Sequence, residues 1–264
     1  MTEGTASTSR PVRIEAADRV AIIRMCASSD RNALDVALRD ALRDAIASVN
    51  AAGRFDGMVL AGNDRFFSVG GDLRTMGPMT RAEGKARIVA AHALPRCIHA
   101  SPKPVVAAVE GVCAGAGLAV AAICDVIVAG SGAQFITSFE KVGLMPDLGA
   151  SYAIPQRMGQ QAARRLFLFG GALDAEEAQA SGLSDYLVEK GEAVPLATEL
   201  VARLSRIAPG TRHAVRRIFR APPATLEEAL CLEVERQPEL YASADLQEGI
   251  AAFLENRAPV WRDG

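Results

Sequence analysis

The chain has 264 residues, half of them hydrophobic, and its 29 Lys and Arg against 31 Asp and Glu leave a formal charge of -2. That length can bury a large core, and a near-neutral balance without a clustered basic run does not suit nucleic acid as a partner. The five cysteines are scattered, odd in number and free of C-x-x-C spacing, which suits reduced core thiols better than a disulfide frame or a metal site.

Residues 1–10 are rich in Thr, Ser and Gly and read as a disordered tail, not a signal or an anchor, so a cytoplasmic protein without a membrane partner is expected. Alternation over 12–25 predicts a hairpin, 12–15 with 19–25, turning at Ala17-Asp18. After a polar loop at 28–32, Val36, Leu38, Leu42, Ile46 and Val49 recur at helical spacing and predict a helix over 34–49. Residues 57–62 read as a short buried strand. The next twelve, 63–74, read as a loop bent at Gly70-Gly71, too apolar to be merely solvated and a candidate site of backbone donors. A helix is predicted over 80–99.

The stretch 103–146 organises the rest. A β-branched strand, 105–109, turns at Glu110-Gly111 and enters a small-residue tract in which Gly115, Ala116 and Gly117 open an apolar helix. No charge falls between Gly111 and Cys124, a run too short for a membrane span and suited to a helix in a protein core. The first amides of such a helix have no intrahelical partner and carry the positive end of its dipole, so they can hold an anion. A dinucleotide fingerprint is excluded because Val120 stands where its third glycine belongs. A strand at 125–129 completes a strand–helix alternation that predicts an α/β fold with parallel connections. Beyond Pro146 the pattern is helical, over 149–156, 159–169 and 174–181, with an extended piece at 184–188, a helix at 195–205 and a long amphipathic helix over 226–257. An appendage this apolar favours an oligomer.

Arg31-Asn32-Ala33-Leu34, 58–62, 67–73, 103–109, 111–117, 124–129, 133–135, 142–146 and 248–257, in this order and spacing, resemble the crotonase, or enoyl-CoA hydratase/isomerase, superfamily over nearly the full length. The resemblance implies a spiral of ββα units over 11–205, a helical C-terminal region over 206–264 that builds a homotrimer or hexamer, and an acyl-CoA thioester as substrate, coenzyme A entering only as part of it with no further cofactor and no metal. It implies an oxyanion hole made by the backbone amides of Gly71 and Ala116. For the CoA ester it points to Arg31, Ala33, Leu34, Gly70, Asp72 and Leu73.

Two departures bear on the reaction. Family hydratases carry two glutamates, and the matching places here hold Ala119 and Phe139. Glu140 stands one residue later, a rotation of about 100° on a helix, and reads with Lys141 as a solvated position unless its register shifts. Asp147 lies just after Pro146, where relatives that move a double bond place a single acid; its structural reading is an N-cap of the next helix. The resemblance therefore implies a 3-enoyl to 2-enoyl-CoA isomerase using Asp147. Water addition by Glu140 and a non-catalytic acyl-CoA-binding role remain open. So does attack by Asp147 on an acyl group, with His92 activating water, as in relatives that displace halide. His99 and His213 read as surface residues. Arg257 reads either as solvated or as reaching a neighbouring subunit's CoA.

Overall fold

In the computed structural model, which describes residues 11–27 and 31–261, the hairpin is Val12–Ala17 (β1) with Val20–Met25 (β2), antiparallel about a turn in which Asp18 takes φ 50°. The tail expected at 1–10 and most of the polar loop expected at 28–32 lie outside the described residues. Helix α1, Val36–Ala51, is capped by Asp35, whose side chain accepts the Leu38 amide at 2.8 Å.

From there one pattern repeats. Gly57–Ala61 (β3) and Phe66–Ser68 (β4) are followed by Arg81–Ala91 (α2) and Ala93–His99 (α3). Val105–Val109 (β5) and Val112–Ala114 (β6) are followed by Ala116–Ile123 (α4), and Val126–Gly130 (β7) and Gln134–Thr137 (β8) by Ala150–Phe169 (α5). Gly171–Asp174 (β9), Ala175–Ala180 (α6), Tyr186–Val188 (β10) and Ala193–Leu204 (α7) complete the series. The first strand of each repeat enters a six-stranded sheet, ordered β1-β2-β3-β5-β7-β10, and the second a four-stranded sheet, ordered β4-β6-β8-β9. This is the spiral of ββα units. The smaller sheet corrects the reading of 63–74 as a loop throughout, and it adds a strand between the turn at Glu110-Gly111 and the glycine-opened helix. Strands of three or four residues are too short to show alternation, and they exist because they pair with one another.

The larger sheet is buried on both faces, which is why β3 and β5 read as continuous apolar runs. Ile23, Met58, Leu60, Val105, Ala107, Val109 and Ile127 share a core with Leu38, Leu42 and Ile46 of α1 and with all of α4's apolar residues from Leu118 to Ala122. On the other face Val20, Ile22, Val59, Val106, Ala108 and Val128 pack with Ala193, Ala197, Leu200 and Val201 of α7. Cys113 and Cys124 are buried, and burial pushes the Cys113 thiol well above its ordinary value; Cys231 is exposed and is not a core thiol.

Two predicted helices are broken. The helix over 80–99 divides at His92, because Pro95 has no amide to give the Ala91 carbonyl. The helix over 226–257 is Leu226–Tyr241 (α9, after Pro209–Arg220 as α8) and Ala244–Leu254 (α10), with Ser243 in extended geometry capping the Leu246 amide. Conversely, 149–156 and 159–169 join as α5 across a kink at Gly159, whose φ of 79° is in the left-handed region that glycine tolerates.

The chain divides into two compact units between Ala202 and Arg203. Within the second, Trp261 donates to the Arg206 carbonyl at 2.7 Å, and Val234, Phe253 and Leu254 stand largely exposed. Among the described residues no helix is long and apolar enough to cross a membrane, and no cluster of side chains could hold a metal ion.

Candidate active site

Asn32 is fully buried, with φ 51°. Its Nδ2 donates to the carbonyls of Phe66 (3.1 Å) and Phe67 (3.2 Å), and its Oδ1 accepts the Ala27 amide at 3.1 Å. The segment it anchors is laced to the one after β4. Val69 donates to the Arg31 carbonyl, Leu34 to the Gly70 carbonyl at 2.7 Å, and Ser68 Oγ to the Asn32 carbonyl while accepting the Gly70 amide. Gly71 therefore sits on a backbone path fixed from below.

The partner surface is the start of α4. Gly115, at φ 50°, turns the chain so that Ala116 opens the helix. Gly70, at φ 89°, passes so close that a Cβ there would fall 2.8 Å from the Ala114 carbonyl and 3.0 Å from the Ala116 nitrogen. Among the described residues neither the Gly71 nor the Ala116 amide donates a hydrogen bond, and both line one cavity of about 1150 Å³. Amides held without an internal partner beside an apolar cavity are suited to an oxyanion.

Leu34, Leu73, Met76, Met79, Ile88, Leu148 and Tyr152 give this cavity its mostly apolar wall. Among the described residues Asp147 is the one carboxylate on it, half-buried, with Oδ1 out of contact with solvent and without a hydrogen-bond partner. Burial raises its carboxyl above the ordinary 3.8, with His92 and Arg39 opposing the shift. Asp147 does not cap α5: Gly149 occupies that position and no side chain caps it. His92 lines the cavity at the break between α2 and α3. His99 lines it too, meeting Tyr152 edge-on at 6.0 Å between ring centroids, and so is not the surface residue expected.

Residues 15–264 match the family model for enoyl-CoA hydratase/isomerase. The chain belongs to the enoyl-CoA hydratase/isomerase family. It is 34% identical to a Rhodobacter capsulatus protein named "Probable enoyl-CoA hydratase", over 94% of this chain and 96% of that one. It is also 34% identical to the 1,2-epoxyphenylacetyl-CoA isomerase of Escherichia coli, over 76% of this chain and 79% of that one. Among solved structures, the enoyl-CoA hydratase of Polaromonas sp. JS666 superposes with a TM-score of 0.86 at 30% identity, over 95% of this chain and 99% of that one.

The two places that the sequence resemblance matched to hydratase glutamates are Ala119 and Phe139. Ala119 is wholly enclosed in the main core and Phe139 is buried in it, neither facing the cavity. Glu140 is not a solvated helix position. It begins a 3₁₀ turn, and both its carboxylate oxygens are enclosed against Gly170, away from the cavity and without a hydrogen bond.

Of the residues read for the CoA ester, Leu34 and Leu73 face the cavity. Arg31 lies over the Phe66 ring at 5.9 Å, Ala33 and Gly70 contribute backbone, and Asp72 accepts from Arg74 through both backbone and guanidinium. In the C-terminal unit Arg257 is exposed, and its guanidinium is engaged by Glu248 at 2.6 and 3.0 Å and by Glu255 at 2.6 Å. Sequence reasoning passed over Asn32 and Ser68 as supports, and Arg39 and Arg87 as cavity residues.

Proposed function

We propose that the protein isomerises a 3-enoyl-CoA to a 2-enoyl-CoA, with Asp147 as its single acid and base. The observation that carries this reading is that one carboxylate shares the cavity with two unengaged amides, while the hydratase positions hold Ala119 and Phe139 in the core. The thioester carbonyl would lie against the Gly71 and Ala116 amides. Asp147 would take a proton from C2, the electron pair passing through the carbonyl to its oxygen as the C3–C4 double bond joins the conjugated dienolate. Return of that proton to C4 leaves the double bond at C2–C3. Donors aimed at the developing oxyanion are commonly worth about 3 kcal/mol each. A carboxylate of raised pKa is a stronger base for the first transfer.

Water addition has less support, since Glu140 faces Gly170 and not the cavity. A second reading is favoured by His92, which lines the cavity and acts on Asp147: Asp147 attacking a halogen-bearing carbon of the acyl group, the carbon–halogen bond breaking to release halide, and water activated by His92 hydrolysing the resulting aspartyl ester to a hydroxyacyl-CoA and the free carboxylate. The test is incubation in heavy water with a 3-enoyl-CoA and, separately, a 2-enoyl-CoA. Migration with label confined to C2 and C4 and no 3-hydroxy product supports isomerisation. A 3-hydroxyacyl product, or no migration with either ester, overturns it.

A further inference from the structure

The cavity holds an imbalance of charge that isomerisation does not use. Arg39, Arg87 and Arg96 line it, from three different helices, against the single carboxylate of Asp147. Arg96 is exposed and its charge is met by water, but Arg39 and Arg87 are each partly buried. Arg87 spends two donors on Thr75, at 3.1 Å to Oγ1 and 3.4 Å to the carbonyl. Arg39 makes no side-chain hydrogen bond or ion pair among the described residues, Asp40 being paired with Arg43, and burial together with the neighbouring Arg87 charge pulls its guanidinium below its ordinary value against the opposing charges of Asp40, Asp147 and Asp35. A partly buried guanidinium beside another, with no acid bonded to it, is unfavourable in the free protein and becomes favourable when an anion arrives.

The same two arginines also line a second, smaller cavity of about 270 Å³, walled by Val36, Ala90 and Leu94 together with the paired Asp40 and Arg43. They belong to the wall formed by α1 and α2, and Arg39 is close enough to Asp147 for each to shift the other's protonation. The group they meet therefore lies on the same side of the thioester as the carbons that Asp147 works on. We infer that the acyl chain carries a carboxylate of its own, remote from the thioester, which Arg39 and Arg87 bind at the cavity wall formed by α1 and α2. The substrate class is thus a CoA monoester of a dicarboxylic acid. This inference rests on the acyl-CoA reading of the cavity and not on which reaction follows.

Saturated esters separate the two questions because they cannot isomerise. Titration calorimetry with the wild-type protein would compare glutaryl-, adipoyl- and suberoyl-CoA with the monoacid esters of equal carbon number, and with CoA alone. At least one dicarboxylic ester is expected to bind at least tenfold more tightly than its monoacid counterpart, and in Arg39→Met that ratio falls toward one. A wild-type ratio of one or less across the series overturns the inference, whatever the variant does. So does an equal loss in Arg39→Met for both kinds of ester and for CoA alone, which would place the arginines on the CoA phosphates. A ratio retained in both Arg39→Met and Arg87→Met overturns it as well. No binding of any CoA ester would instead remove the reading of the cavity itself.

Discussion

The Asn32 side chain donates to the Phe67 carbonyl at 3.2 Å from a backbone at φ 51°. One buried amide thus joins the segment before α1 to the strand that leads to Gly71. Asn32→Ala leaves two carbonyls and one amide without this partner and puts a less suited residue in the left-handed region. We expect a loss of about 2–4 kcal/mol in denaturant unfolding. In the fraction that remains folded, kcat should fall more than CoA-ester affinity, since the Gly71 amide loses its alignment. Unchanged kcat in a variant of reduced stability would confine Asn32 to a structural part.

Asp147→Asn keeps shape and removes the proposed base. Isomerisation should fall by about 10²–10⁴-fold, while the dissociation constant for a saturated acyl-CoA stays within about threefold, a difference worth less than 1 kcal/mol. Full activity in this variant would exclude Asp147 from the chemistry. An ¹⁸O label from solvent appearing in Asp147 after turnover would favour the aspartyl-nucleophile reading.

The pH dependence has a definite sign. Burial raises the folded-state pKa of Asp147 above 3.8, so the native protein retains this proton at pH values where the unfolded chain has released it. The stabilising effect is present below 3.8 and is lost as pH rises through the raised value. Asp147→Asn should therefore melt above wild type at neutral pH, with the difference shrinking toward acid. The same ionisation should give kcat/KM an acid limb with a slope of about one. A melting difference that does not change between about pH 4 and about pH 8 would contradict the assigned burial effect.

Gly70→Ala tests the contact between the two donor-bearing segments. Its Cβ would press on the Ala114 carbonyl and the Ala116 nitrogen at a φ of 89°. Both neighbours are backbone, so the segments must separate. Activity should drop by about 10²-fold or more, in line with the loss of one oxyanion donor, whereas Ala116→Gly, which keeps its amide, should retain activity within about tenfold.

Some of this was open to reading before any coordinates. The paired glycines at 70 and 71 and the small-residue tract at 115–117 point to backbone donors because only small residues permit such approach. Asp147 stands out because Ala119 and Phe139 carry no acid. The rest depends on neighbours distant in sequence. Strands β4, β6 and β9 are too short to announce themselves alone. Glu140 was placed by α-helical rotation, but it begins a 3₁₀ turn, whose geometry differs. Arg39 sits two residues after an exposed Ala37 and one before Asp40, a pattern that a solvated helix face shares. Only the break at His92 and the packing of α2 and α3 turn the Arg39 and Arg87 side into a cavity wall.

The two amides assigned to the oxyanion carry a consequence for how such a protein can change over generations. A nucleotide substitution that alters residue 71 or 116 leaves the N–H in place unless it encodes proline, so it acts on this half of the site through the bulk it adds, a Cβ at residue 71 falling 2.8 Å from the Met76 methyl. Selection acts on it through residue size at these two positions and through the supports, such as Asn32, Ser68 and Gly70. The proton-handling half, as proposed, is a single codon, Asp147. A lineage built this way can lose or exchange its reaction in one step while its capacity to grip a thioester persists.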